Sequence, residues 1–417
     1  MIVEASNQTE NRMKKLTIVV AGTLASDPYA GMAWMNMQIV VGLTRLGHHV
    51  YYFETTSTWP YDPLLGMRVN NGNYAIPYLQ SIANRFGVTD RWAYRCSFSP
   101  DKQWIGLNKN KAEDILANAD VVFNISAATR FAEEGLKVGR LVYFGTDPVY
   151  NEIKYAQGDA VVKSIVDEHD DVVTYGENIG NKGCPIPPLP NLRATTRQPV
   201  LMEYWEGYEP TKKEFTTVSN YRQGGRDLEF NGETYYWSKH HEFMKFINLP
   251  QKIKQPIEIA TNLTKAENIA HGAGTAVSAY GVDNSDYNIL IDNNWQLIDG
   301  PSFTTDPWKY RDYVISSRGE FSFAKDQNIR LRSGWFSERS ACYLAAGRPV
   351  ITQDTAFDCA LPIGEGLFSF NTMEEIIIAF DAINSNYKKH SNAARAIAQE
   401  YFKAEIVLQK LLNDLGV

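Results

Sequence analysis

Short apolar segments alternate with amphipathic helical segments along most of this 417-residue chain. The pattern begins with an apolar strand at Leu16 to Ala21, a helix at Met32 to Leu46 and a second strand at Val50 to Phe53. Strands that alternate with helices predict parallel sheets covered by helices on both faces, which is the doubly wound α/β architecture. A chain of this length can build two domains of roughly 200 residues, each with its own core.

The alternation continues through both halves of the chain. Further strands are predicted at Val121 to Ile125, Leu141 to Phe144, Asp171 to Tyr175, Phe215 to Asn220, Ile257 to Ala260, Trp295 to Ile298, Glu320 to Phe323 and Val350 to Thr352. Further helices are predicted near Ser238 and at Lys265 to His271, Trp308 to Ile315, Glu338 to Ala346, Thr372 to Ala382 and Ala393 to Leu415. Pro185 to Pro199 contains five prolines and no regular periodicity, which favours a linker. We predict one domain at residues 1–190, a second at residues 191–400, and the end of a C-terminal helix at residues 401–417.

Composition narrows the class of protein. The net charge of −7 and the pI near 5.6 argue against nucleic acid or an anionic membrane as the main partner. The four cysteines show no CxxC spacing, so neither a zinc site nor a disulfide framework is indicated, and a reducing cytoplasm is the expected location. The apolar run Leu16 to Ala21 is far too short to span a bilayer. The first loop lacks the GxGxxG fingerprint, which argues against a nicotinamide cofactor there.

The segment from Arg330 to Phe370 carries the clearest functional pattern. Gly334 is a flexible position that would let the backbone approach a ligand, and Ser337, three residues later, is a good N-cap for the helix that follows. The N–H groups and positive dipole at such a helix start suit a diphosphate. Gln353, Asp354 and Thr355 then follow an apolar strand, where polar side chains suit sugar hydroxyls. An ordinary helix cap followed by an ordinary loop is the alternative.

The run SGWFSERSACYLAAGRPVITQDTAF, with LPIGEGLFSF after it, resembles the donor-binding segment of GT-B glycosyltransferases, in particular the group-1-like, CgeB-like bacterial branch. The phrase GMAWMNMQIVVGLTRLGHHVYYFE also resembles the start of bacterial glycosyltransferases. The resemblance implies two Rossmann-like domains that face each other across a cleft. The first would lie on the acceptor side and the second would bind the nucleotide sugar, with the last helix crossing back to the first domain.

The resemblance also implies which residues contact the donor. Retaining members carry two glutamates eight residues apart, but Gly334 and Cys342 stand at those places here, so Glu338 is the substitute candidate. Lys325 and Arg332 are the strongest cationic candidates. The full predicted donor-binding set is Ser219, Arg222, Lys239, Lys325, Arg332, Ser333, Gly334, Ser337, Glu338, Arg339, Asp354 and Thr355. The donor would be a UDP-, dTDP- or GDP-linked sugar, used as a co-substrate and with no further cofactor.

A glycosyl transfer reaction also needs a group that stabilises the departing diphosphate and a base, or an equivalent group, for the acceptor. Cationic side chains and a helix start can neutralise a departing diphosphate, and no DxD motif is placed as a metal clamp, so we predict a metal-independent reaction. Asp27 lies on the first loop, and Asp147 and Glu177 follow predicted strands; these three carboxylates and His169 compete as the acceptor base. Asp147 in FGTDP is favoured, with a structural Asp-Pro turn as the alternative. A retaining mechanism would need no such base.

These observations favour a hexosyltransferase-type glycosyltransferase that acts on a small-molecule or envelope-glycan acceptor. Two other functions remain open. A sugar-nucleotide 2-epimerase of the same fold would turn over the donor alone, and a noncatalytic nucleotide-sugar-binding protein would not turn it over.

Overall fold

The structure, a computed structural model, describes residues 14–55, 58–263 and 285–417. The predicted helix at Lys265 to His271 lies outside the described residues.

Within the described residues, eight strands form a first sheet in the order β10-β9-β8-β7-β1-β2-β5-β6. Neighbours are parallel except β6, which runs antiparallel to β5 at one edge. A separate antiparallel hairpin, β3-β4, follows β2. The strands of the sheet and of this hairpin, in chain order, are β1 (Thr17–Ala21), β2 (His49–Glu54), β3 (Tyr61–Asp62), β4 (Met67–Arg68), β5 (Trp92–Arg95), β6 (Trp104–Gly106), β7 (Val121–Ile125), β8 (Leu141–Gly145), β9 (Asp171–Thr174) and β10 (Leu192–Thr195). The strand order reverses between β1 and β7.

Five helices connect these strands within the described part of the chain, and most present one apolar face to the sheet. They are α1 (Ala30–Arg45), α2 (Ala75–Arg85), α3 (Lys109–Asn118), α4 (Tyr150–Ala156) and α5 (Ala160–Asp167). The side chains of Asn108 and Asp159 accept hydrogen bonds from backbone N–H groups at the starts of α3 and α5. We refer to this sheet and its helices as the first domain.

A second sheet has the order β15-β14-β11-β16-β17-β18, and all its described neighbours are parallel. A hairpin, β12-β13, stands apart from it. The strands are β11 (Phe215–Ser219), β12 (Leu228–Phe230), β13 (Glu233–Tyr235), β14 (Ile257–Thr261), β15 (Gln296–Asp299), β16 (Gly319–Ser322), β17 (Val350–Gln353) and β18 (Leu367–Phe370). Here the strand order reverses between β11 and β16. We refer to this sheet and its helices as the second domain.

Ten further helices follow in the described chain. They are α6 (His240–Lys245), α7 (Leu249–Lys252), α8 (Ser285–Asp292), α9 (Pro301–Thr304), α10 (Pro307–Ser316), α11 (Asp326–Arg330), α12 (Glu338–Ala345), α13 (Met373–Ser385), α14 (Tyr387–Ile397) and α15 (Ala404–Leu415). Two short 3₁₀ turns lie at Met202–Trp205 and Phe357–Cys359. Two sheets with covering helices confirm the predicted doubly wound α/β fold with two Rossmann-like units.

Two sequence-based boundaries differ from the structure. The proline-rich segment does not separate the sheets, because β10 (Leu192–Thr195) pairs with β9, so the first sheet extends beyond the predicted boundary at residue 190. The continuous helix predicted from Ala393 to Leu415 is wrong. The helix is interrupted by a π-helical segment at Ala398–Phe402 and by the extended residue Lys403. At this interruption the Phe402 carbonyl accepts a hydrogen bond from the Val200 N–H, and the Ala404 N–H donates to the Val200 carbonyl. The chain returns to the first domain at this crossing.

An aromatic cluster joins the two domains. Trp34 of α1 lies 4.8 Å from Trp205 and 5.5 Å from Trp308 between ring centroids, and Trp34 Nε1 donates to the Pro307 carbonyl at 2.8 Å. The Arg85 guanidinium lies 3.4 Å from the centre of the Trp308 ring. Trp34 and Trp205 are fully buried, so the cluster excludes water from the contact between α1 and α10.

A second contact between the domains depends on Gly334. Its φ is +77°, and a Cβ built there would lie 2.3 Å from the Asn178 backbone nitrogen. Asn178 N–H donates to the Ser333 carbonyl at 3.1 Å, and Asn178 Nδ2 donates to the Arg332 carbonyl at 2.8 Å. Gly334 therefore allows the backbones of the two domains to meet, rather than giving a ligand access to the backbone as the sequence suggested.

We expect Gly334→Ala to lower the free energy of unfolding by about 2–4 kcal/mol, because it combines an unfavourable φ with a backbone collision. Gly232→Ala is the matched control, since Gly232 has a φ of +79° with open space around it, and it should cost only about 1 kcal/mol. Urea denaturation of both variants measures the difference. Equal losses would show that Gly334 is required for its φ alone.

Candidate functional site

A cleft of about 830 Å³ lies between the two domains. The first domain contributes residues that follow β1, β7 and β8, including Asp27, Ser126 and Asp147. The second contributes residues that follow β11 and β16, including Asn220 and Lys325. The cleft therefore lies at the carboxyl ends of parallel strands and at the reversal points of both sheets, where doubly wound folds bind ligands.

Lys239 supplies an unpaired cation on the second-domain wall. It is 8% exposed, and among the described residues its ammonium has no hydrogen-bond or ion-pair partner, with only the Trp335 ring at 5.9 Å. Burial lowers the pKa of Lys239 to about 7, and the like charges of Arg339 and Lys325 add to this effect. A buried cation without a counter-ion is costly, so this position favours an incoming anion.

Lys325, which follows β16, is paired across the cleft. Its Nζ donates to Asp147 Oδ2 at 2.6 Å and lies 3.1 Å from the centre of the Trp237 ring. Burial lowers the pKa of Lys325, and the Asp147 carboxylate offsets part of that change. Lys325 therefore adds charge to the same wall as Lys239.

Arg339 lines the cleft but serves the fold. Its Nε donates to Glu320 Oε1 at 2.6 Å, and its terminal nitrogens donate to the Val218 carbonyl and to Ser322 Oγ at 2.7 Å each. These bonds connect the first turn of α12 to β16 and β11, the two strands at the reversal point. The charge of Arg339 reaches the cleft, while its hydrogen bonds fix the helix start.

The start of α12 faces the cleft as predicted from the sequence pattern. Ser337 Oγ accepts from the Arg339 N–H at 3.3 Å and so caps the helix. Glu338 is half-buried, and its carboxylate has no hydrogen-bond or ion-pair partner among the described residues. Trp335 lies just before the helix, and its Nε1 donates to the Thr146 carbonyl of the first domain at 3.1 Å.

The first-domain wall is built on a buried carboxylate that the sequence did not indicate. Glu54 is fully buried and accepts from the N–H groups of Ala25 and Ser26, at 2.8 and 2.5 Å, and from the Tyr52 hydroxyl at 2.9 Å. Burial raises the pKa of Glu54 to about 7. These bonds hold the loop after β1, which places Asp27 in the cleft beside Arg68, with 2.7 Å between Oδ1 and a guanidinium nitrogen.

The turn that carries Asp147 is strained. Val149, two residues later, has a φ of +97°, which is unusual for a β-branched residue. Its N–H donates to Glu152 Oε2 at 2.8 Å, and Glu152 is itself buried, which raises its pKa to about 7. The bond to Glu152 holds a turn that fixes the direction of the Asp147 side chain.

The structure brings most of the favoured candidates together. The predicted residues that line the cleft are Asp27, Asp147, Ser219, Lys239, Lys325, Ser337, Glu338 and Arg339. The remaining predicted residues, which do not line it, are Glu177, Arg222, Arg332, Ser333, Gly334, Asp354 and Thr355.

Each of these outlying residues has a partner elsewhere. Glu177 pairs with Arg197 at 2.5 Å, Arg222 pairs with Asp286 at 2.6 Å, and Arg332 pairs with Asp354 at 3.2 Å. The hydroxyls of Ser333 and Thr355 donate to Asn328 Oδ1 and to the Trp335 carbonyl. The predicted direct contacts of these side chains with a ligand are therefore not supported by their positions.

Other cleft residues were missed by the sequence reasoning. Arg226 and Trp237 flank the β12-β13 hairpin, and the Arg226 guanidinium lies 5.0 Å from the centre of the Trp237 ring. Trp335 stands inside the quoted motif but was assigned no role. The position of Trp335 beside a predicted helix cap could have identified it as a site residue from the sequence. Arg226 and Trp237 could not have been identified in this way, because only the tertiary structure brings them to the cleft.

Neither a metal-binding cluster nor a membrane-spanning helix occurs among the described residues. No group of three or more His, Cys, Asp or Glu side chains is placed to hold a metal ion. None of the helices described combines the length and the apolar character needed to cross a membrane.

Comparisons with known proteins show the fold class. No family model matches the sequence, and no curated protein matches it. A glycosyltransferase from Rickettsia africae ESF-5 is 13% identical over 96% of this chain and 97% of its own, with a TM-score of 0.51. Anabaena HepE in complex with UDP and glucose is 10% identical over 96% and 99%, with a TM-score of 0.52. An α-glucosyltransferase in complex with UDP and DNA is 10% identical over 97% and 100%, also at 0.52. The chain has the GT-B fold of these glycosyltransferases.

We expect Arg339→Met to lower the free energy of unfolding by about 3–5 kcal/mol, because Glu320 would be left as a buried charge without a partner. Arg332→Met, which removes the half-exposed pair with Asp354, should cost less than about 1 kcal/mol. The double variant Arg339→Met/Glu320→Gln should recover part of the loss. Urea denaturation measures all three. Equal losses for the two single variants would contradict a structural role for the Arg339 pair.

Proposed function

We propose that this protein is a glycosyltransferase that uses a nucleotide-diphosphate sugar as its donor. The observation that carries the proposal is the buried, unpaired ammonium of Lys239, which lies beside the capped start of α12 and the charges of Lys325 and Arg339. This arrangement favours a diphosphate at the reversal point of the second sheet. The GT-B fold supports the same orientation, with the donor on the second domain.

In the proposed reaction, the bond between the anomeric carbon and the diphosphate oxygen breaks while an acceptor oxygen bonds to that carbon. Lys239, Lys325 and the N–H groups at the start of α12 stabilise the charge that develops on the departing diphosphate. Glu338 has a free carboxylate beside these groups and is suited to accept hydrogen bonds from donor hydroxyls.

The acceptor would lie against the first domain. Its wall carries the Asp27 and Asp147 carboxylates and the Ser126 and Thr146 hydroxyls, which lie 2.8 Å apart. These groups suit a hydroxylated acceptor. Asp147 remains the favoured acceptor base, because it lies on the cleft whereas Glu177 is paired with Arg197 outside it.

We further propose the finer assignments that the resemblance implies. These are the group-1-like, CgeB-like branch, a UDP-, dTDP- or GDP-linked hexose donor, a small-molecule or envelope-glycan acceptor, a metal-independent reaction and a cytoplasmic location. The net charge of −7 argues against a polynucleotide acceptor, although one structural relative was solved with DNA.

Nucleotide binding tests the proposal directly. Calorimetric titration with UDP, dTDP and GDP, with and without magnesium, should show binding to at least one. Lys239→Met should weaken that binding by roughly tenfold to a hundredfold, because a charge-assisted contact is lost. Lys388→Met, at a surface lysine with a side chain 71% exposed, is the matched control and should leave it unchanged. Failure of all three nucleotides to bind would refute the proposal, and binding without any sugar transfer would indicate a noncatalytic binding protein.

The pH dependence of donor binding should follow Lys239. Its pKa of about 7 lies below the ordinary lysine value, so the free protein loses this proton as the pH rises through 7, whereas an anionic diphosphate selects the protonated form. The affinity for UDP-glucose should therefore fall by up to about tenfold per pH unit above pH 7, and binding there should take up a proton.

Calorimetry from about pH 6.5 to about pH 8.5, in buffers with different ionisation enthalpies, measures both effects. A diphosphate diester keeps its charge over this range. Lys239→Arg should bind UDP-glucose without this pH dependence, because a guanidinium stays protonated. The same decline in the arginine variant would assign the titration to another group.

A further inference from the structure

One ion pair connects the opposite walls of the cleft. Lys325 belongs to the second domain and Asp147 to the first, and 2.6 Å separates Nζ from Oδ2. The Lys325 side chain is 9% exposed and that of Asp147 is 32% exposed. The proposed donor and acceptor walls therefore share a charge contact when no ligand lies between them.

The pair leaves bonding capacity unused on both sides. Asp147 Oδ1 is buried and has no hydrogen-bond partner among the described residues. An ammonium can donate three hydrogen bonds, and among those residues Lys325 Nζ donates one, to Asp147, while the Trp237 ring covers another side at 3.1 Å. A buried acceptor without a donor is costly, so the pair is a poor final partner for either group.

The surrounding charges favour an exchange of partners. Lys239, without a counter-ion, lies near enough to Lys325 and Arg339 for their charges to lower its pKa. The Glu338 and Glu320 carboxylates act in the opposite direction, but Lys239, Lys325 and Arg339 outnumber them, so an anion held by Lys239 would also be attracted to Lys325. A diphosphate carries enough oxygens to contact both ammonium groups.

We propose that the Asp147 carboxylate is a resident counter-ion of Lys325 that the donor diphosphate displaces. This inference rests on the proposed function and adds an order of events to it. Once displaced, Asp147 has Oδ2 free on the first-domain wall, which also carries the Thr146 and Ser126 hydroxyls, and the carboxylate can accept a hydrogen bond from an acceptor hydroxyl. Donor binding therefore prepares the acceptor wall.

A double-mutant cycle on nucleotide affinity tests the exchange. The dissociation constant of UDP is measured by calorimetry for the wild type, Asp147→Asn, Lys325→Met and the double variant, with dTDP and GDP as substitutes if UDP does not bind. Asp147→Asn should tighten binding by about tenfold, because Lys325 no longer has a competing anion. Lys325→Met should weaken binding, and Asp147→Asn should bring no gain in its background.

Controls separate this exchange from simpler explanations. Asp120→Asn removes the carboxylate of the Lys14–Asp120 pair, which has a separation of 2.8 Å and lies outside the cleft, and it should leave the affinity unchanged. It thereby controls for the loss of one negative charge. Lys325→Gln replaces Lys325→Met if the methionine variant does not fold, as judged by thermal unfolding.

The possible outcomes are distinct. An unchanged or weaker affinity in Asp147→Asn overturns the exchange, and so does an equal gain with and without Lys325, which would indicate simple repulsion between Asp147 and the nucleotide. Either result leaves the proposed function intact as long as the wild type binds a nucleotide. If the wild type binds none of the three, the proposed function fails and this inference fails with it.

Discussion

The buried ion pair between Arg339 and Glu320 is the constraint on which the cleft depends. It joins the first turn of α12 to β16, while the remaining Arg339 donors reach the Val218 carbonyl in β11 and Ser322 Oγ in β16. These strands flank the reversal point of the second sheet. The N–H groups at a helix start can bind an anion only if the helix points steadily at the site. The ion pair fixes the direction of α12, so its capped start can form part of a binding site.

The two domains are held by contacts of different kinds at different places. The Trp34 cluster is large and apolar, and Trp34 and Trp205 are fully buried, so it keeps α1 against α10. Gly334 brings the backbone of the α12 motif against Asn178. The contact between Lys325 and Asp147 is instead ionic and partly exposed, and it spans the cleft itself. Apolar and backbone contacts do not respond to an anion, whereas an ion pair does. Of these three contacts, the one between Lys325 and Asp147 is therefore sensitive to an anionic ligand, whereas the other two would stay in place.

Sequence reasoning found the central strands because they are short apolar runs bounded by turn residues. β7 (Val121–Ile125) agrees with the prediction at both ends, and β11, β14 and β16 agree within one residue. The strands β5, β6, β10 and β18 and the β12-β13 hairpin were missed. Most of them are short segments that mix polar and apolar residues at or near a sheet edge, and β18 follows a glycine-rich turn. Lys239, Lys325 and Ser337 could be placed at the cleft because each lies near a strand end or a helix start. Arg332, Gly334 and Thr355 were assigned to a ligand although they serve contacts within the protein. Their partners are distant in sequence, so no local pattern could show which contact a polar or glycine residue makes.

Three cations of the second-domain wall, Lys239, Lys325 and Arg339, differ in how far their charges are already neutralised. Arg339 has a partner for each guanidinium nitrogen and is committed to the fold. Lys325 shares one carboxylate with the opposite domain. Lys239 has no counter-ion among the described residues, and burial lowers its pKa to about 7. Because desolvation destabilises each charge until an anion arrives, the gain on binding is greatest at Lys239, smaller at Lys325 and least at Arg339. An anion that reaches this wall would therefore be drawn first to Lys239, and Lys325 would join it only by giving up Asp147. The graded pairing of these cations thus accounts for both the affinity of the site for a diphosphate and the release of a carboxylate toward the acceptor wall.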